Sequence, residues 1–501
     1  MGRALLRHLP VLGGALAILL FAAHALRHVD DPIEEVDEVA VAWSTGYLDL
    51  YLDGRFDAPA WRGFDALDHP PAWKYLYGWV RAASGLPRPP PEAKARWHDR
   101  AWAVEDEAKA FREALNDEVP RHELHTSRLA SALACVVGLV LLGLLLARAG
   151  PPAEAWGAVA AVSAIAVFRR FGARGLIDGP LFATLVAAAW LTARWLACTH
   201  PRRRLAWGAA LALTLGVLAQ LKITGGVGLL AVAGAWVWVR RAAPADGPAP
   251  AGGPGLGSLA LVLAGAAVVA LALNPSLWVD PVGFPLQMIT HRADQVELQR
   301  ALFDPRCGLT ALEATQRFVW RTLLRTDPLY VATRAPLVAS LVVLGVFTPR
   351  APAPAHARAD AAQAAYAAAT THLGAWALLT LLTYKLDWPR YMIPALPLVA
   401  WLAARGVGQA IRLGRRALGH AEGARARTQA RRALGAAAVA GLTLSVAATA
   451  ELPGPSRAER WATRRPRIDA IIAALPADAP LRRRLEATRD RVAADVVRGA
   501  P

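Results

Sequence analysis

The apolar run LPVLGGALAILLFAAHAL, residues 9–26, is followed by a polar stretch from Asp30 to Lys74, and together they set the plan of the chain. Eighteen apolar residues are enough to cross a bilayer as a helix. Two arginines precede the run and no small-residue cleavage site follows it, so we predict an uncleaved first span. The polar stretch would then emerge at the opposite membrane face.

The whole chain has the composition of a membrane protein. Of its 501 residues, 55% are hydrophobic, and the mean hydropathy is +0.29. Runs of about 18 apolar residues recur along it, which predicts an all-α polytopic membrane protein with about eleven transmembrane helices. The predicted spans are 9–27, 127–148, 153–169, 175–197, 205–221, 223–239, 257–274, 333–348, 369–385, 390–406 and 433–450.

The net charge of +17 comes from arginines that cluster between apolar runs. This is the pattern of the positive-inside rule, and no aromatic-interleaved basic patch suggests a nucleic acid partner. Residues 1–450 form the predicted transmembrane domain, with two large outer loops at 28–126 and 275–332. The basic tail 451–501 follows; either it is an exported segment that touches anionic surfaces, or the span count is off by one.

The first outer loop contains predicted amphipathic helices that lie at the membrane interface. Two sets of aromatic and aliphatic residues share helical faces, as interfacial helices do. A third, charged helix is predicted over 91–119. The two aromatic faces are Trp43, Tyr47, Leu50 and Tyr51, and Trp73, Leu76, Tyr77 and Val80.

An acid pair follows the first span in the sequence Val36-Asp37-Glu38-Val39. A general base is commonly a carboxylate or imidazole held near the proton that it removes. Asp37 and Glu38 are therefore candidates for a base, or for groups that orient an acceptor hydroxyl. Four more acids lie just upstream, and the alternative is that the pair consists of ordinary solvated loop acids.

The motif Asp68-His69-Pro70-Pro71-Ala72-Trp73-Lys74 closes the same polar stretch. Because prolines fix backbone direction, the motif predicts a defined turn that positions a substrate. Lys74 suits a phosphate as a point charge, and the alternative is a surface lysine that snorkels. Binding of a divalent metal by Asp68 and His69 is a further alternative, but the spacing of these residues indicates neither a metal site nor a site for another cofactor.

Three charged residues fall near the ends of later spans. Arg174 is a candidate for phosphate binding and Asp178 for substrate positioning. The alternative is that the two residues, which are four positions apart, form a pair that stabilises itself without a ligand. Lys222 follows a long apolar run and precedes Ile223-Thr224-Gly225-Gly226. An ionisable group at membrane depth is a functional candidate by default.

A last candidate group joins two predicted spans in Tyr384-Lys385-Leu386-Asp387-Trp388-Pro389-Arg390-Tyr391. A guanidinium at a helix start can bind a phosphate bidentately, and the alternative is an interfacial anchor. Under the predicted topology all these acids, lysines and arginines share the outer face. This one-sided arrangement favours an anionic, lipid-linked substrate with a base opposite it.

These segments resemble the protein O-mannosyltransferase-like group of GT-C membrane glycosyltransferases. The acid pair Asp37-Glu38 and the stretch Asp68 to Lys74 are similar to that family's first-loop motifs, with Ala72 in place of the usual leucine. Arg390-Tyr391-x-x-Pro394-x-x-Pro397 is similar to a late segment common in bacterial members. Arg174 to Pro180 and Leu221 to Gly225 also resemble later family segments.

The resemblance implies a fold, a location and a mechanism. The fold is a GT-C-like bundle in a bacterial inner membrane, with the active site on the outer face. The donor is a polyprenyl-phosphate sugar, and the acceptor is a protein, a glycan or a lipid. Asp37 is the base, Glu38 helps place the acceptor, and the leaving phosphate is stabilised by Arg390 with Lys222 or Lys385. The sugar is transferred with inversion.

Two competing functions use the same charges. One is a transporter or flippase of an anionic lipid, which would also need a polar path to the inner face, where the spans carry few ionisable groups. The other is an inactive GT-C-like scaffold that binds lipid.

Overall fold

The computed structural model describes the chain in separate ranges, and all its regular secondary structure within them is helical. Five predicted features lie outside the described residues: Asp37, Trp43, Asp68, Lys385 and the helix over 91–119. The described ranges are 2–31, 38, 41–42, 44–63, 66–67, 69–88, 121–241, 253–302, 311–325, 337–349, 359–383, 389–418, 423–449, 480–497 and parts of 461–477.

Eight helices in the described part of the chain are long and apolar enough to cross a membrane. Part of their apolar surface packs against neighbouring helices, and the rest is exposed on the outside of the bundle. Two of the eight are extended at their N-terminus by a 3-10 turn. The bounds are α1 (Gly2–Arg27), α4 (Arg121–Ala149), α7 (Asp178–Ala197), α8 (Pro201–Leu221), α9 (Val227–Arg241), α10 (Leu256–Leu273), α15 (Ala359–Thr383) and α16 (Leu396–Leu418).

The other three predicted spans coincide with helices that are not among these eight. The span predicted over 153–169 is broken at Ile165 into α5 (Pro152–Ala164) and α6 (Ala166–Gly172), which are bent by 68°. Helix α14 (Leu337–Val346) has ten residues, and α17 is Ala424–Thr449. The prediction of a polytopic helical membrane protein is confirmed, whereas the count of eleven spans stays a prediction.

The remaining helices connect these spans or follow them. In the first loop these are α2 and α3, which match the two predicted aromatic segments. Their bounds, with those of the later connecting and tail helices, are α2 (Gly46–Leu52), α3 (Ala72–Ala83), α11 (Ser276–Val279), α12 (Gly283–Leu302), α13 (Ala311–Val319) and α18 (Pro480–Val497).

Small residues allow the helix backbones to approach closely. Gly345 of α14 and Gly406 of α16 face each other's helices: a Cβ on Gly345 would lie 2.7 Å from the carbonyl carbon of Leu402, and one on Gly406 would lie 2.6 Å from that of Leu341. Close backbone contact is the usual source of helix association in lipid. It explains how the short α14 stays attached to the bundle.

One end of the bundle collects most of the connections that carry candidate residues; we call it the site face. Helices α8 and α10 end there, α7 begins there, and α2 and α3 lie across it. Tyr51 and Tyr75 tie these two helices to α10 by donating to the carbonyls of Ala272 and Leu273, at 2.9 and 2.8 Å. The tail helix α18 packs against α12, so it lies at this face as well.

Candidate active site

Glu38 is held in a buried ion pair with Arg128 of α4, which we call the Glu38 clamp. The guanidinium Nε donates to Glu38 Oε1 at 2.8 Å and Nη2 donates to Oε2 at 3.0 Å. The backbone N–H of Gly175 donates to the same carboxylate at 3.0 Å. Only 1% of Glu38 is exposed. The clamp therefore fixes the chain one residue after Asp37.

The connection 173–177 between α6 and α7 is fixed by hydrogen bonds at several points. Ser131 and Tyr77 donate to the carbonyls of Gly172 and Leu176, at 2.8 and 2.7 Å. Burial raises the pKa of the Tyr77 hydroxyl, so it stays protonated and keeps its donor role. With the Gly175 bond to Glu38, these contacts make the connection a rigid support.

Arg174 lies in this connection and Asp178 opens α7, so the two are not neighbours on one helical face. The Arg174 guanidinium instead approaches Asp31 Oδ2 at 3.7 Å, near the end of α1. Both Arg174 and Asp178 are buried. The structure thus groups Arg174 with the Glu38 clamp.

Lys74 is fully buried beneath the first-loop helices, not exposed at a water-facing edge. Its Nζ lies 4.0 Å from the ring centre of Tyr47 and 5.6 Å from that of Trp73, both within cation–π range. His69 meets Trp73 edge-on at 6.0 Å between ring centres. Pro71 is the N-cap of α3 and, like Pro70, is buried.

Helices α2 and α3 are joined by a partly buried ion pair. Arg81 Nη2 lies 2.6 Å from Asp49 Oδ2, with the arginine side chain only 5% exposed. This pair turns α3 so that Trp73, Tyr77 and Arg81 face inward, while Leu76 is exposed. The buried face of α3 therefore differs from the predicted one, because it includes the charged Arg81 and leaves out Leu76.

Three cationic side chains surround Tyr391; with that residue they form what we call the Tyr391 cluster. Lys222 Nζ lies 5.1 Å from the centre of the Tyr391 ring, and the Arg390 guanidinium carbon lies 5.6 Å from it. Arg292 of α12 donates to the Tyr391 hydroxyl at 3.1 Å. The three cations come from separate segments of the chain, and such a set can donate charge-assisted hydrogen bonds to one anion.

The Tyr391 cluster shares its surroundings with both first-loop motifs. The 3-10 turn Pro389–Ala395 packs against α6 and α7, which flank the connection held by the Glu38 clamp. Ile223, next to Lys222, packs against Ala66 and Leu67, which precede the His-Pro-Pro motif. Residues that are distant in sequence thus converge at the site face.

A tight turn after α8 sets the position of Lys222, and two adjacent glycines make it testable. A Cβ on Gly225 would lie 2.6 Å from the carbonyl carbon of Leu218 and 3.0 Å from Cα of Ala219, both backbone atoms, whereas one on Gly226 meets nothing within 4 Å. We expect Gly225→Ala to cost about 1–3 kcal/mol of stability and to displace Lys222.

The measurement for these glycines is thermal unfolding in detergent. Gly226→Ala is the matched control and should leave the unfolding temperature unchanged. Equal effects of the two substitutions would contradict the placement of this turn.

Comparisons with known proteins find only distant similarity to this chain. No protein-family model and no curated protein matches the chain. Among solved structures, it is similar to ArnT from Cupriavidus metallidurans bound to undecaprenyl phosphate, with 16% identity and a TM-score of 0.44 over 95% of this chain and 84% of that chain. The apo state of that protein gives 15% identity and a TM-score of 0.43, over 95% and 83%.

A third similar structure is the archaeal oligosaccharyltransferase AglB from Archaeoglobus fulgidus in complex with an inhibitory peptide and a dolichol-phosphate. It gives 11% identity and a TM-score of 0.40, over 93% of this chain and 58% of that chain. Likeness of this size assigns no family. The functional conclusions below therefore rest on the residues of this chain.

Two residues of the site were missed in the sequence. Arg128 is in the first turn of the span predicted over 127–148, where an arginine is typical of a membrane boundary. Arg292 belongs to a helix with mixed polar and apolar residues inside the second outer loop. Neither has a local motif around it, and only the tertiary fold joins them to Glu38 and Tyr391.

Metal binding gains no support in the part of the chain that the structure describes. No three His, Cys, Asp or Glu residues converge there in a way that could hold an ion. Two histidines at the site face pair with single acids: His28 Nδ1 lies 2.9 Å from Asp31, and His125 Nδ1 lies 2.8 Å from Asp30.

Proposed function

We propose that this protein is a membrane glycosyltransferase that moves a sugar from a polyprenyl-phosphate donor to an acceptor hydroxyl. The observation that carries the proposal is the Tyr391 cluster, in which Lys222, Arg292 and Arg390 converge on one tyrosine at the end of a transmembrane bundle. A phosphate attached to a membrane-embedded lipid is an anion that such a cluster can bind at that depth.

The cluster and the Glu38 clamp supply complementary parts of one reaction. Asp37 accepts the proton of the acceptor hydroxyl, whose oxygen attacks the anomeric carbon. The bond from that carbon to the phosphate oxygen breaks, and polyprenyl phosphate leaves with the bonding electrons. The cations of the Tyr391 cluster stabilise the charge that develops on the phosphate. Attack opposite the leaving group inverts the anomeric centre.

The assignment of the base to Asp37 gains support from the contacts of its neighbour. The Glu38 carboxylate already accepts two hydrogen bonds from Arg128 and one from Gly175. To take up a proton it would have to give up a buried ion pair, which is costly. Glu38 thus suits a positioning role, and we assign proton transfer to Asp37.

Three features of the reaction follow from the motif resemblance and the charge distribution. The donor sugar is a hexose of the mannosyl type. The reaction takes place at the outer face of the bacterial inner membrane, since the arginine-rich connections mark the other face as cytoplasmic. The acceptor is a protein hydroxyl, with a surface glycan or a lipid as alternatives.

Binding of polyprenyl phosphate to the purified protein tests the role of the Tyr391 cluster. A hydrogen bond to a charged group contributes about 1.5–3 kcal/mol, so we expect Arg292→Gln or Arg390→Gln to raise Kd about tenfold to a hundredfold. Arg88→Gln is the matched control: this arginine is exposed and paired with Asp53 in the first loop. An unchanged Kd in a folded triple variant that also carries Lys222→Gln would contradict the proposal.

A further inference from the structure

Two arginines lie together at the end of the bundle opposite the site face. Arg148 is in the last turn of α4 and Arg194 is in the last turn of α7. These helices pack against each other, and both run from the site face to the opposite face. Each arginine is half-buried.

Arg194 is stacked on aromatic rings and makes no hydrogen bond to any residue that the structure describes. Its guanidinium carbon lies 5.0 Å from the ring centre of Trp207 and 5.7 Å from that of Trp190, and the two indoles meet edge-on at 5.6 Å. Its Nε is buried without a partner. The indoles hold the guanidinium in place while its N–H donors stay unused.

Arg148 likewise has no acidic partner among the residues that the structure describes. Its one hydrogen bond runs from Nη1 to the carbonyl of Leu144 in its own helix, at 3.2 Å. The nearby Arg204 is different, because it donates to the carbonyls of Cys198 and Thr199 and so caps the end of α7. Arg148 and Arg194 therefore each keep N–H donors that pair with no other described residue.

The depth of the pair in the membrane indicates which anion it meets. Both arginines are within one turn of a span end, and tryptophans such as Trp190 and Trp207 mark the interface where phospholipid headgroups lie. A phosphodiester offers oxygens that match the planar donors of a guanidinium. Basic sites between transmembrane helices are known places for anionic headgroups.

We propose that Arg148 and Arg194 form a binding site for the phosphodiester headgroup of an anionic phospholipid, between α4 and α7 at the face opposite the active site. The site is independent of the proposed glycosyl transfer. It would anchor the two helices that carry Arg128 and Asp178 at their other ends.

Native mass spectrometry of the full-length protein in detergent, titrated with phosphatidylglycerol, tests this site. Phosphatidylcholine with the same acyl chains is the reference lipid. An arginine near the headgroups is expected to contribute about fivefold in affinity, so Arg148→Gln with Arg194→Gln should weaken phosphatidylglycerol binding about thirtyfold. Arg241→Gln, an exposed arginine at the same face, is the control and should leave the affinity unchanged.

Several results would overturn the site. They are equal affinity of the wild type for both lipids, an unchanged affinity in the double variant, an equal loss in Arg241→Gln, or full competition by inorganic phosphate. If the double variant does not fold, the single variant Arg194→Lys tests the site, because it keeps the charge but loses the stacked planar group. A several-fold loss of affinity for phosphatidylglycerol supports the site, and an unchanged affinity overturns it.

Discussion

Asp37→Asn is expected to lower sugar transfer about 100- to 10,000-fold while leaving the affinity for polyprenyl phosphate unchanged. The amide keeps the size of the side chain but cannot accept the proton of the acceptor hydroxyl. Since the phosphate is assigned to the Tyr391 cluster, loss of the base should not weaken donor binding. The measurement is the rate of polyprenyl phosphate release at saturating donor, together with the Kd for polyprenyl phosphate.

Asp53→Asn is the control for this substitution, because Asp53 is an acid of the same loop that pairs with the exposed Arg88. It should transfer sugar at the wild-type rate. Full activity of both Asp37→Asn and Asp37→Ala would exclude Asp37 as the base, whatever the donor proves to be.

Arg128→Met is expected to destabilise the protein by about 3–5 kcal/mol, because it leaves the Glu38 carboxylate buried without its cation. Arg128 also donates to the carbonyl of Val29 at 2.9 Å and to that of Asp31, so the end of α1 loses its contacts as well. Thermal unfolding in detergent measures the stability. Arg88→Met, which removes an exposed arginine, should change it little.

A double-mutant cycle separates the ion pair from the other contacts of the clamp. Glu38→Met with Arg128→Met removes both charges, so the double variant should be more stable than Arg128→Met alone. It should stay below the wild type, since the Gly175 N–H and two carbonyls lose their partners. Additive effects of the two single substitutions would show that the clamp does not couple them.

The transmembrane helices could be predicted because long apolar runs have no other stable place than a bilayer. The break at Ile165 could not, since 153–169 is apolar on both sides of it. Ile165 has an extended backbone, with φ −65° and ψ 123°, and composition does not record such a local change. The burial of Lys74 depends on Tyr47 of α2, which comes 27 positions earlier.

The candidate site was predictable where charges stand at span ends. The predicted topology placed Lys222 and Arg390 at the same face, and the structure brings both of them to the ring of Tyr391. The role of Glu38 in placing the acceptor stays a prediction, and its pairing with Arg128 was not predicted. That partner is 90 positions away and carries no motif, so only packing between α4 and the first loop reveals it.

The most direct test of the proposed reaction offers purified protein in detergent and lipid a panel of polyprenyl-phosphate sugars with peptide, glycan and lipid acceptors. Release of polyprenyl phosphate is followed in the wild type and in Asp37→Asn. We predict release from at least one donor, lost in Asp37→Asn. Protein that is folded and binds polyprenyl phosphate, yet moves a donor across liposomes without transferring its sugar, would contradict a glycosyltransferase and establish a flippase.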